Sequence, residues 1–131
     1  MLLDQNIRVL IVDDDPKIVR LLSRFVDEMS LEVVSATQPR EALRLAAEQP
    51  IHIAVIDLHM PEMEGIELMK SLHRVNDDME VILMTGDRSS DRFSEAIQNG
   101  AYDFIWKPID FSHLGNSLTA ARSHVLRRAA R

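Results

Sequence analysis

The stretch Ile7-Arg8-Val9-Leu10-Ile11-Val12-Asp13-Asp14-Asp15-Pro16 decides how this chain folds. Apart from Arg8, its first six residues are apolar, mostly β-branched, and they stop abruptly at three aspartates. That is the pattern of a short strand buried on both faces. Asp15 followed by Pro16 then starts a helix. The carboxylate can accept from exposed backbone N–H groups, and proline in the first turn has no N–H to leave unsatisfied. A buried strand handing over at once to a helix is the unit of an α/β fold.

Working outward, the same unit recurs. Ile18, Leu21, Leu22, Phe25, Val26 and Met29 repeat at spacings of three and four, which predicts one buried helical face. Residues 31–36 read as a strand. Thr37 is placed to cap a helix that turns Ala42, Leu43 and Ala46 inward and is ended by Pro50. Residues 51–56 form a third strand running into Asp57, and residues 65–75 carry a helical pattern of Ile66, Met69 and Leu72. Residues 81–84 form a strand that stops at Thr85. Ser89 or Ser90 caps the next helix, with Phe93, Ala96 and Ile97 on its face and Gly100 closing it. Residues 102–106 are the fifth strand, ending at Lys107. Asp110 caps a last helix whose Phe111, Leu114, Leu118, Ala121 and Val125 share a side. Five strands that are apolar throughout, alternating with five helices, predict right-handed crossovers and a mostly parallel sheet covered on both faces.

Composition limits what such a domain can do. The 131 residues suit one hydrophobic core, and 46% hydrophobic with 27% charged residues is ordinary for a globular chain, so disorder is set aside. With no cysteine, disulfides and thiolate metal sites are excluded. No signal peptide and no apolar run of membrane-spanning length is visible, so the expectation is a cytoplasmic protein with no membrane partner. The net charge of −6 is uneven: residues 111–131 contribute +4, leaving −10 for the rest. An acidic body repels nucleic-acid phosphates, which argues against direct nucleic-acid binding by this domain.

In open parallel sheets, ligands bind outside the carboxyl ends of the strands. Here those ends carry Asp13 and Asp14, Asp57, Thr85 and Lys107, each directly after an apolar run. Two carboxylates about 5 Å apart repel by roughly 3 kcal/mol at an effective dielectric near 20, and three would meet here. Such a cleft calls for cations. Lys107 supplies one positive charge, and the all-oxygen set that remains suits Mg2+. Zinc is disfavoured, with no cysteine and only His59 nearby. An aspartate beside Mg2+ and a lysine is suited to attack phosphorus, and Thr85 can hydrogen-bond a phosphoryl oxygen.

Val-Asp-Asp-Asp-Pro (12–16), Ile-Asp-Leu-His-Met-Pro-Glu-Met-Glu-Gly (56–65), Met-Thr-Gly (84–86) and Phe-Ile-Trp-Lys-Pro (104–108) together resemble the response regulator receiver family. The resemblance spans nearly the whole chain, with four motifs in the right order. It implies a doubly wound, flavodoxin-like α/β fold with five parallel strands in the order 2-1-3-4-5. It also implies Asp57 as phosphoacceptor with Thr85 and Lys107 assisting. Mg2+ would be held by Asp13, through water, by Asp14 and Asp57, and by the backbone carbonyl of His59. A cis bond between Lys107 and Pro108 is expected. Thr85 and Phe104 match the switch pair, and the fourth helix, fifth strand and fifth helix match the output surface. The implied partners are a sensor histidine kinase or phosphotransfer protein, an effector domain following this chain, and a second copy across that output surface. His59 and Asp87 flank the phosphoryl site and are expected to influence phosphate lifetime. Pro39 departs from the family, which often has glycine nearby.

Taken singly, these residues have plainer readings. Asp15 and Asp110 are helix caps, Asp13 and Asp14 alone would be turn residues, and Phe104 alone would be core. His52, His73, His113 and His124 lack metal spacing and read as surface or partly packed residues. Residues 1–125 are assigned to the receiver domain, and 126–131 to a helix extension or the start of a linker. A phosphatase of the haloacid dehalogenase type shares the chemistry but places its aspartate nucleophile after the first strand as Asp-x-Asp. A receiver-like docking module that is never phosphorylated is a further rival, and the intact acidic and lysine set argues against it.

Overall fold

The computed structural model describes residues 7–87 and 92–130. In chain order the elements are β1 (Arg8–Val12), α1 (Pro16–Glu28), β2 (Glu32–Ala36), α2 (Pro39–Glu48), β3 (Ile53–Asp57), α3 (Gly65–Val75), β4 (Glu80–Thr85), α4 (Arg92–Gln98), β5 (Asp103–Trp106) and α5 (Phe111–Ala129). All strand pairings are parallel and the order is β2-β1-β3-β4-β5, the doubly wound arrangement expected.

The uniformly apolar strands serve two cores, because successive side chains leave a strand on opposite faces. Val9, Ile11, Ile53, Val55, Ile82, Met84 and Ile105 pack under α1 and α5, against Val19, Leu22, Leu114 and Leu118. Leu10, Val12, Ala54, Ile56, Val81, Leu83 and Phe104 face the other way, against Ala42 of α2, Met69 and Leu72 of α3, and Ala96 of α4. Each fully buried leucine or isoleucine contributes about 1.5–3 kcal/mol. This two-sided burial holds the strand ends, and the polar groups on them, in fixed relative positions.

The helix termini follow local chemistry with some corrections. Asp15 caps α1 by accepting from the Lys17 N–H at 2.9 Å, and Asp110 caps α5 by accepting from Ser112 and His113 N–H at 2.9 and 3.2 Å. Thr37 is not the cap of α2: that position is Gln38, whose side chain makes no capping bond, and Pro39 sets the first turn instead. The Ser89 or Ser90 cap falls outside the described residues. The inward face of α1 is Val19, Leu22 and Val26, whereas Leu21 is 49% exposed. On α4 only Ala96 is buried, and Phe93 and Ile97 face outward. Gly100 closes α4 with φ of 102°, a conformation that side chains with a Cβ resist. Among the described residues, no helix is long and apolar enough to cross a membrane.

Candidate functional site

Polar residues gather at the carboxyl edge of the sheet because β1, β3, β4 and β5 all end there. Asp13 follows β1 and is fully buried; its Oδ1 accepts from the Asp15 N–H at 2.9 Å, and its Oδ2 accepts from Lys107 Nζ at 2.8 Å. Asp57 is the last residue of β3 and is also buried. Its Oδ1 accepts from the His59 N–H at 3.3 Å and lies 3.5 Å from Lys107 Nζ. Asp14 beside them is exposed, and one carboxylate oxygen from each of Asp13, Asp14 and Asp57 falls within 4.8 Å of the others.

Lys107 reaches this cluster because it follows the short strand β5, where its N–H donates to the Thr85 carbonyl at 2.6 Å. The peptide bond to Pro108 is cis, as the motif implied. Thr85 ends β4 and is fully buried; its hydroxyl accepts from the Asp87 N–H at 3.0 Å. Gly65 closes the loop after Asp57. A Cβ there would stand 2.7 Å from the Asp57 carbonyl oxygen and 2.8 Å from Leu58 Cα, so only glycine lets α3 begin this close to the strand end.

The charges do not balance. Burial pushes the Asp57 carboxyl up from 3.8 to about 6; Lys107 and the His59 N–H work against this, while Asp13 and Asp14 add to it. Burial favours neutral Lys107, but its bond to Asp13 and the charges of Asp57 and Asp13 prevail, and its pKa is raised. One ammonium therefore faces three carboxylates. The oxygen-only donor set and the residual negative charge fit a hard divalent cation.

Of the residues singled out in the sequence, Asp13, Asp14, Asp57 and Lys107 meet here, while Thr85 ends the neighbouring strand and His59 and Phe104 differ from expectation. His59 contributes its backbone N–H to Asp57, and its imidazole is exposed. Phe104 is already turned inward and 4% exposed, edge-on to Phe93 at 5.6 Å and to Trp106 at 5.4 Å, while the Thr85 hydroxyl is engaged by the Asp87 N–H. Inward packing of this ring thus does not require a modified aspartate. Sequence reasoning passed over Glu64 and Arg92, whose side chains meet at 2.8 Å and tie the loop after Asp57 to the start of α4. Neither has a local signature, since the partners are brought together only by the fold.

A parallel five-stranded sheet with three carboxylates and a lysine at its carboxyl edge defines a receiver-type α/β domain. The chain belongs to the response regulator receiver domain family, whose model matches residues 9–119. It is 34% identical over 119 residues to the transcriptional regulatory protein ZraR of Escherichia coli K12, covering 91% of this chain and 27% of that protein. It is 36% identical over 125 residues to the two-component response regulator ARR11 of Arabidopsis thaliana, covering 94% and 23%. The chain thus spans about a quarter of the length of these relatives. Among solved structures, a CheY-like receiver domain protein from Methanospirillum hungatei JF-1 superposes with a TM-score of 0.88 at 27% identity, covering 95% of this chain and 99% of that one. The beryllofluoride-activated NtrC4 receiver domain dimer gives a TM-score of 0.84 at 30% identity, covering 90% and 98%. The chain is accordingly a phosphorylation-dependent signalling switch, and the phosphatase reading is not favoured.

Proposed function

We propose that Asp57 accepts a phosphoryl group from the phosphohistidine of a sensor histidine kinase or phosphotransfer protein. An Asp57 oxygen bonds to phosphorus as the phosphorus–nitrogen bond breaks, and the electron pair leaves with the imidazole. The observation that carries this reading is the meeting of Asp13, Asp14 and Asp57 within 4.8 Å, with Lys107 reaching two of them.

Asp13, Asp14, Asp57 and the His59 carbonyl would hold Mg2+, which supplies positive charge against the incoming phosphoryl oxygens. Lys107 offsets further charge from its position between Asp13 and Asp57, and the Thr85 hydroxyl, whose oxygen accepts from the Asp87 N–H, donates its hydrogen to a phosphoryl oxygen. That bond pulls on the carboxyl end of β4. It favours one arrangement of α4, β5 and α5 over another, a shift of populations that an effector domain or a second copy can read. His59 and Asp87 border the approach of water to the phosphoryl group and set how long it survives. The domain catalyses its own phosphotransfer and slow dephosphorylation, without turnover of a separate substrate. The setting for this chemistry is cytoplasmic, with residues beyond 125 leading toward an effector.

The test is intact-protein mass spectrometry after acetyl phosphate with Mg2+. The wild type should gain the mass of one phosphoryl group and Asp57→Asn none. Equal modification of both would place the acceptor elsewhere. No modification of either would leave a docking module.

A further inference from the structure

Glu80 is a buried carboxylate with no part in the site above. It opens β4 at the amino edge of the sheet, opposite the aspartates, with its side chain 11% exposed. A carboxylate is costly in such a place unless it is paired. Its Oε2 touches His124 Nδ1 and stands 3.5 Å from Arg128 Nη2, ion-pair contacts in which neither Oε2 nor Nδ1 completes a hydrogen bond. Arg128 also donates from Nη1 to the Asp78 carbonyl at 2.7 Å and keeps Nε 3.7 Å from Asp78 Oδ1. The His124 ring lies 6.0 Å from that of Tyr102, and Val125 and Leu126 between the two basic residues pack beneath the sheet. Both basic groups belong to the last turns of α5, beyond residue 119 where the family match ends.

We propose that Glu80, Asp78, His124 and Arg128 form a clamp that makes the far end of α5 part of β4, so that one strand carries Thr85 at one end and the chain's exit helix at the other. β4 has six residues, all buried, and is held by β3 on one side and β5 on the other. A strand so confined moves as a unit. A displacement imposed at Thr85 is therefore delivered to the end of α5 as well as to α4. The clamp itself stands apart from the proposed phosphotransfer; the transmission along β4 rests on it.

Hydrogen exchange on the whole chain tests both halves. Arg128→Ala should speed exchange of the α5 amides beyond residue 120 by roughly tenfold. Glu80→Gln should do the same, and Arg127→Ala, altering an exposed neighbour on the same turn, should leave them at the wild-type rate. Equal behaviour of Arg128→Ala and Arg127→Ala would overturn the clamp. With Mg2+ and beryllofluoride, protection of these amides should change in wild type and not in Arg128→Ala. The same change in both, or none in wild type while the α4 and β5 amides respond, would overturn transmission along β4. Failure of Asp57 to take up phosphoryl groups would instead sink the phosphotransfer reading and leave the first comparison intact.

Discussion

At the scale of single residues, the chemistry concentrates on Asp57 and its neighbours. Its folded pKa of about 6 lies above the ordinary 3.8, so the folded state holds this proton more tightly than the unfolded chain does. The group therefore favours folding most below about pH 4, and that advantage is lost as pH rises through about 6. Asp57→Asn should be more stable than wild type by on the order of 1–3 kcal/mol near pH 8 without divalent ions, with the gap closing toward pH 4. Denaturant titrations at the two pH values check this, and a gap independent of pH would show that the carboxylate is not strained by its surroundings. Asp13, Asp57, Thr85 and Lys107 were legible in the sequence because each interrupts an apolar run at its end. Glu80 and His52 were not. Glu80 pairs with residues on α5, and His52 Nδ1 accepts from the Arg8 N–H at 2.9 Å, across 44 positions of sequence. Long-range pairing leaves no local trace.

At the scale of elements, apolar periodicity found every strand and helix, and the discrepancies have physical causes. β4 begins at Glu80, one residue earlier than its apolar run, because Glu80 pairs with Ile53 and its N–H donates to the His52 carbonyl at 3.0 Å. Leu21 looked inward by spacing, but the stripe that α1 presents is narrower and centred on Val19, Leu22 and Val26. Ser30, after α1, takes a φ of 63° where glycine would have been the signal, so the turn was not marked. Gly65 makes the prediction at this scale. Gly65→Ala forces α3 away from the end of β3 and should cost about 1–3 kcal/mol, as overpacking against backbone does. Thermal unfolding reads the loss, and phosphorylation by acetyl phosphate should slow because the loop bearing His59 shifts. An unchanged melting temperature would contradict the close approach.

For the molecule as a whole, strand alternation announced the fold class, while the order 2-1-3-4-5 came from resemblance to a family. Nothing in one strand's composition states which strand lies beside it. The sorting of α1 and α5 to one face, with α2, α3 and α4 on the other, follows from that order and the handedness of the crossovers. The outward residues of α4 form the basis of a prediction for assembly. Phe93 and Ile97 are 50% and 44% exposed beside the buried Phe104, an apolar surface suited to a second copy. Sedimentation with Mg2+ and beryllofluoride should show self-association in wild type, reduced at least several-fold in Phe93→Ser; a monomer in both would remove the dimer from the picture. The aromatic row has one more consequence. Trp106 is the chain's single tryptophan, packed edge-on to Phe104 and adjacent in sequence to Lys107. This half-buried indole is a native probe, and its emission should follow any change in packing against Phe104 with no label to disturb it.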